Sequence, residues 1–203
     1  MKKKELEIYL QKTPYFEKPK ISLEQYLTSA DIAADIIFIA FQMGDIKNKI
    51  ILDLGCGTGI FSVGAYITGA KKVIGIDIDK DAIKTAKRFA DENKLKIDFI
   101  VKDIEDIDIL CDTIIMNPPF GAQKSNIYAD RRFIEKAFEK ANVIYSLHLT
   151  KTIPFIEKMV SSLKGNIDLT KNYNFPIKYS QYFHAKKVVF YEVTLLRILT
   201  KVN

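Results

Sequence analysis

The sequence predicts an α/β fold: a doubly wound, mostly parallel, seven-stranded sheet with a C-terminal antiparallel hairpin. Three observations carry this. From Ile50 onward, short apolar runs of buried-strand length alternate with segments of helical periodicity. A glycine-rich turn, Gly55-Cys56-Gly57-Thr58-Gly59, directly follows the first of those runs. Near the C-terminus the alternation stops, and two strand-like segments follow one another with no helix between them.

Taken in order, residues 1–27 are mixed in character and interrupted by Pro14 and Pro19. They predict an ordered or semi-ordered arm packed on a single domain spanning 28–203. Thr28-Ser29-Ala30-Asp31 resembles a capping box. Ile32, Ile36, Ile39, Ala40 and Met43 then recur at helical spacing until Gly44 supplies a stop. Ile50 to Leu54 reads as the first strand, Ile60 to Thr68 as a short helix closed by Gly69, and Val73 to Ile78 as the second strand. Asp79 is an N-cap for a helix through Glu92, with Ala82, Ile83, Ala86, Phe89 and Ala90 on one face. Strands are expected at 97–101 and 113–116, a helix at 133–140, a strand at 143–147 and a helix at 152–163. The terminal pair of strands is placed at 166–169 and 187–199. Right-handed crossovers between parallel strands complete the expectation.

Composition sets the outer limits. The 203 residues are 48% hydrophobic and 28% charged, an ordinary balance for one globular core. Cys56 and Cys111 form no C-x-x-C pair, which argues against a disulfide framework or a zinc site, and no metal is expected. The basic start Met1-Lys2-Lys3-Lys4 runs into Glu5 and Glu7 instead of an apolar signal core, and the apolar stretch 32–43 is interrupted by Asp35. A cytoplasmic protein without membrane association is the expectation. The net charge of +6 is compatible with a phosphate backbone as partner, and equally with a habitat-driven lysine excess.

Chemistry-bearing residues fall at successive strand ends, the ligand-binding edge of a doubly wound sheet. Asp53 and the turn Gly55-Cys56-Gly57 end the first strand. Glycines there let a ligand approach the backbone with no side chain between. Asp77, with Ile78 beside it, ends the second strand and can accept both hydroxyls of a ribose. Asp103, beside Ile104, follows the third and can accept from an adenine amino group. A nicotinamide dinucleotide would use a similar set. The spacing G-x-G-x-G and the preceding Asp53, which would repel a pyrophosphate and suits a cationic sulfonium, favour S-adenosylmethionine. After the fourth strand stands Asn117-Pro118-Pro119-Phe120. Two prolines stiffen that loop. The Asn117 side-chain oxygen and the Pro118 carbonyl can accept the two N–H bonds of an exocyclic amine, turning its lone pair toward a methyl donor, while Phe120 stacks on the unstacked base. A proline-rich turn with Asn117 as turn former is the plainer reading of the same residues.

Together these motifs resemble the class I, Rossmann-like amino-methyltransferases. More narrowly, they resemble the methyltransferase-like five family of ribosomal RNA adenosine methyltransferases and its archaeal relatives. The similarity extends from about Leu23 to Ile198 and includes Leu23-Glu24-Gln25-Tyr26, Asp77-Ile78-Asp79, Tyr145-Ser146-Leu147-His148 and Phe183-His184. It implies formation of N6-methyladenosine in small-subunit ribosomal RNA and a complex with a small zinc-ribbon activator protein. It also implies that Gln25, Tyr26 and Thr28 close over the cofactor, that Asp53, Gly55, Asp77, Ile78 and Asp103 hold it, and that Asn117 to Phe120 present the base. Phe183, His184, Lys186 and Lys187 form an aromatic and basic segment that suits RNA. Leu27 stands where the family has proline, and Ala185 departs from its basic segment. From the residues alone, Tyr26 also reads as a packing aromatic, Thr28 as a helix cap, His148 as a structural hydrogen bonder, and the charges of 123–132 as a solvated loop. Other functions compatible with the sequence are protein glutamine methylation, DNA adenine methylation, non-catalytic RNA binding and dinucleotide-dependent oxidoreduction.

Overall fold

In the computed structural model, residues 1–120, 129–179 and 187–200 are described. The parallel strands are β1 (Ile50–Leu54), β2 (Lys72–Asp77), β3 (Asp98–Val101), β4 (Cys111–Met116) and β5 (Ala141–Leu149). Two long strands, β6 (Asn166–Tyr179) and β7 (Lys187–Leu199), run antiparallel and complete a seven-stranded sheet of order β3-β2-β1-β4-β5-β7-β6. The chain therefore moves outward from β1 to β3, returns to β4 beside β1, and moves outward again on the other side.

That reversal puts helices on both faces. Helices α1 (Lys3–Leu10), α2 (Ala30–Gln42), α3 (Ile60–Ile67) and α4 (Lys80–Glu92) cover one face, while α5 (Ala129–Lys140) and α6 (Ile153–Ser162) cover the other. Alternate strand residues serve the two layers, as the period of two requires. Ile51, Ile115, Tyr145 and Leu147 pack with Leu6, Leu10, Ile36 and Phe61. Leu52, Leu54, Ile114 and Met116 pack with Ile134, Ile156 and Val160. Asp79 caps α4 as expected, accepting from the Asp81 N–H at 3.0 Å.

A buried polar knot ties the C-terminal hairpin to the parallel half. Arg197 on β7 donates to both oxygens of Asp45, at 2.8 and 3.2 Å, and also meets Asp168. The Tyr145 hydroxyl donates to Asp45 Oδ2 at 2.6 Å, and Thr113 Oγ1 donates to the Asp45 carbonyl at 2.7 Å. On the opposite face of β5, Ser146 Oγ and His148 Nε2 lie 2.7 Å apart, and burial lowers the His148 pKa to about 3. A neutral, structural histidine results.

Two expectations are corrected, and one element stands outside them. The arm contains a helix, α1, whose Leu6 and Leu10, four residues apart, are fully buried; Pro14 breaks the chain only after it has ended. The strand expected at 166–169 continues to Tyr179, because β7 offers a ladder partner along its whole length. No capping box forms at Thr28: Ser29 is the N-cap of α2 and makes no side-chain cap bond, and the Thr28 hydroxyl is engaged by Asn117. Phe183, His184 and Lys186 lie outside the described residues, as do 123–128 of the charged loop; Lys187 opens β7 opposite Tyr179. Among the described residues no helix is long and apolar enough to cross a membrane.

Because α1 is part of the main core, shortening its buried side chain opens a cavity. Leu10→Ala should lower unfolding free energy by about 2–4 kcal/mol in urea denaturation, with an unchanged slope. A loss below about 0.5 kcal/mol, the level of a surface substitution, would mean that the arm is only loosely attached.

Candidate active site

The crevice opens where β1 and β4 lie adjacent and their chains depart in opposite directions. Four strand ends line it: Gly55, Cys56, Gly57 and Thr58 after β1, Asp77 and Ile78 at β2, Asp103 and Ile104 after β3, and Asn117 and Pro119 after β4. Phe16 and the segment Leu23 to Thr28 form its roof, and Arg132 and Phe133 at the start of α5 close one side.

Local geometry explains the glycines. Gly57 has φ +54°, and a Cβ placed there would meet the Phe16 ring at 2.8 Å. Gly55, at φ +73°, has Phe133 within 3.0 Å of its would-be Cβ. The Gly57 N–H donates to Asp77 Oδ2 at 2.7 Å, and the Asp79 N–H donates to Asp77 Oδ1 at 2.8 Å. These bonds fix the carboxylate plane and leave each oxygen a lone pair for a further donor. Burial nevertheless pushes the Asp77 pKa up, with the two N–H donors opposing.

Asp53 does not line the crevice. It is fully buried behind the turn, where Oδ2 accepts from the Ser62 N–H at 2.8 Å and the Ser62 hydroxyl at 2.6 Å. Its Oδ1 has no partner among the described residues. Burial raises its pKa to about 7, with Ser62 opposing and the Asp77 charge adding to the rise. Two carboxyls whose ionised forms burial disfavours, one behind and one beside a glycine turn, suit a ligand that brings positive charge and ribose hydroxyls. Asp103 is partly committed: Oδ1 accepts from the Glu105 N–H at 3.0 Å, and Arg132 reaches it at 3.6 Å. The donor set thus fits the nucleoside cofactor expected from the sequence.

The acceptor side is built around Asn117. Two residues beyond Ile115, it points to the same face as that side chain, toward the start of α2. Asn117 Nδ2 donates to Thr28 Oγ1 at 3.1 Å, and Asn117 Oδ1 is enclosed without a hydrogen-bond partner among the described residues. Phe120 lies near-parallel to Tyr26, with ring centroids 6.2 Å apart, and meets Phe175 edge-on at 5.7 Å.

The roof is tied down at both ends. Thr58 Oγ1 donates to the Pro14 carbonyl at 2.7 Å. Gln25 Nε2 donates to Asp79 Oδ2 at 2.7 Å while its Oε1 accepts from the Lys20 N–H, and Lys20 itself pairs with Asp79.

The structure therefore brings together Gln25, Tyr26, Thr28, Gly55, Cys56, Gly57, Asp77, Ile78, Asp103, Ile104, Asn117 and Pro119. Pro118 is buried beneath the loop, and Phe120 is turned toward Tyr26 and Phe175. Sequence reasoning missed Phe16, Thr58, Ser62 and Phe133. A lone aromatic in a proline-broken arm carries no signal, and Ser62 becomes visible only when α3 folds back over Asp53.

A family model described as the methyltransferase small domain matches residues 27–143. The rRNA N(6)-adenosine-methyltransferase METTL5 of Danio rerio is 39% identical, with 97% of this chain and 98% of that protein covered. An uncharacterized protein of Methanocaldococcus jannaschii is 40% identical, with 98% and 94% covered. A crystal structure from Pyrococcus horikoshii, described as a candidate RNA methyltransferase, superposes with a TM-score of 0.91 at 37% identity and 98% coverage of both chains.

The elevated Asp53 pKa has a sign that can be checked. Its folded-state value lies above the ordinary carboxylate value, so its stabilising contribution is complete below about pH 4 and is lost as pH rises toward 7. Asp53→Asn cannot ionise. In cofactor-free protein its stability relative to wild type should improve by on the order of 3 kcal/mol between pH 4 and 8, read by denaturant titration. A difference that stays constant across this range would show that Asp53 titrates normally.

Proposed function

The chain belongs to the methyltransferase small-domain family and is an S-adenosylmethionine-dependent enzyme of Rossmann-like fold, and on that premise we propose that it methylates the N6 amine of an adenosine in ribosomal RNA. The observation that carries the choice of acceptor is the unpartnered Asn117 Oδ1, held at the crevice by the bond from its own amide to Thr28. A buried acceptor without a donor costs about 1–3 kcal/mol, so its retention points to a donor that arrives with the substrate.

When bound, S-adenosylmethionine supplies an electrophilic methyl carbon on a cationic sulfur. Asp77 would accept from the ribose hydroxyls, Asp103 and Ile104 would border the adenine, and the turn Gly55 to Gly57 would allow close approach of the remainder. Gln25 and Tyr26 belong to the roof over this space. Asp53 would act from behind, through α3 and the turn, by its charge.

On the acceptor side, the lone pair of an adenine amine is delocalised into its ring. With Asn117 Oδ1 accepting one N–H and the Pro118 carbonyl the other, the nitrogen moves toward tetrahedral geometry and presents that lone pair along the transfer direction. The chain contributes orientation and electrostatics. Phe120 offers a ring face to an unstacked base, which requires the Tyr26 ring to give way, because Tyr26 faces Phe120 in the absence of RNA. The proposal extends to small-subunit ribosomal RNA as substrate, to Phe183, His184, Lys186 and Lys187 as an RNA contact, and to a zinc-ribbon activator as partner.

The test is direct. The protein, with and without an activator of that type, is incubated with methyl-labelled S-adenosylmethionine and ribosomal RNA, which is then digested to nucleosides. Label in N6-methyladenosine is expected, whereas label confined to glutamine in protein would replace this reading with amide methylation. Asn117→Ala should lose at least a hundredfold in kcat while its Kd for the cofactor changes by less than about threefold.

A further inference from the structure

The resemblance assigns Thr28 to the cofactor. Its side chain shows a different engagement. The residue is 4% exposed, immediately precedes the N-cap of α2, and takes no part in capping that helix. Its hydroxyl oxygen receives the Asn117 amide at 3.1 Å, across 89 residues of sequence. On the other end of the same amide, Oδ1 is enclosed and unpartnered.

We infer that Thr28 is the positioning residue of the methyl-acceptor site: it holds the plane of the Asn117 amide so that Oδ1 faces the incoming amine. The inference rests on the N6-methylation reading above. An asparagine amide rotates about its last torsion with little intrinsic preference, and its oxygen and nitrogen ends are similar in shape. With the nitrogen end toward the substrate, a donor would confront the N–H bonds of the amine. With the amide turned out of plane, the bond to the substrate would lengthen, and so would the misalignment of the amine lone pair. Thr28 anchors the amide plane by accepting from Nδ2 whenever the oxygen is committed to substrate, while the amine's own N–H bonds select the oxygen end. The position of the threonine is itself secured nearby: Gln25, three residues before it, is bonded to Asp79. A hydroxyl on a short side chain suits this role, because it accepts without bringing a charge that would compete with the cofactor sulfonium.

The discriminating experiment compares Thr28→Val, which keeps the shape and removes the hydroxyl, with Thr28→Ser, which keeps the hydroxyl. Turnover is measured as N6-methyladenosine formed in RNA, cofactor affinity by calorimetry, and folding by thermal unfolding. At saturating cofactor, Thr28→Val should lower kcat by roughly ten- to hundredfold, a larger factor than any rise in cofactor Kd, and Thr28→Ser should recover to within a few-fold of wild type. Three results overturn the inference: a Thr28→Val kcat within about twofold of wild type, equal losses in both variants, or a fall in cofactor affinity that matches the fall in turnover. If Thr28→Val does not fold, Thr28→Ala removes the same hydroxyl and is judged by the same criteria. An active wild type with an equally active Thr28→Val sinks this inference alone. A wild type that forms no N6-methyladenosine sinks the underlying function and this inference with it.

Discussion

Strands β1 and β4 lie side by side and send their chains away from each other, and this divergence opens a crevice at the carboxyl ends of the parallel strands. The residues assigned to cofactor and acceptor gather there because parallel strands end at the same edge. The glycine turn, Asp77, Asp103 and Asn117 are far apart in sequence, and each occupies the first positions beyond its strand or the last one within it. The alternation of side chains then sorts them. Asp53 and Asn117 share the face of Ile51 and Ile115, so the first meets α3 through Ser62 and the second meets the start of α2 through Thr28.

The N-terminal segment turns this crevice into an enclosed site. It begins as a helix buried in the main core, continues as an irregular strap, and ends where α2 starts. Along the strap, Pro14 receives Thr58, Phe16 leans on Gly57, Gln25 binds Asp79, Tyr26 faces Phe120 and Thr28 holds Asn117. Individually such contacts are each of the order of 1 kcal/mol. Because one short segment makes them all, cofactor-side and acceptor-side residues share a single mechanical support. Closing over one half of the site constrains the other.

Much of this was legible beforehand, for identifiable reasons. Strands β1, β2 and β4 are short apolar runs buried on both faces, and such runs have few alternatives. The turn, Asp77 and the Asn117 loop were readable because a strand end constrains residue type tightly. The boundaries of β6 were not, because Lys171, Asn172, Asn174 and Pro176 give no strand signal of their own and extend only through pairing with β7. Helix α1 was hidden by the prolines that follow it, and the engagement of Thr28 by the strength of its local resemblance to a cap. In that case a contact distant in sequence prevailed over a local pattern. Asp53 was placed correctly in the chain and wrongly in space: its acidity invited a direct contact, whereas the alternation of β1 turns it toward α3.

Among the described residues, two strand-end oxygens, Asp53 Oδ1 and Asn117 Oδ1, are buried without donors, as is the Ser29 hydroxyl at the start of α2. A fold selected for stability alone would have paired them or replaced them with apolar groups, since each unsatisfied oxygen is destabilising. Their surroundings are otherwise well satisfied: Ser62 gives two bonds to the other oxygen of Asp53, and Thr28 accepts the other end of Asn117. The two strand-end oxygens thus lie one behind the turn that borders the expected cation and one at the expected amine. Local departures from the rules of folding at these two points are coherent with a single reaction, in which positive charge and N–H donors arrive together with the substrates.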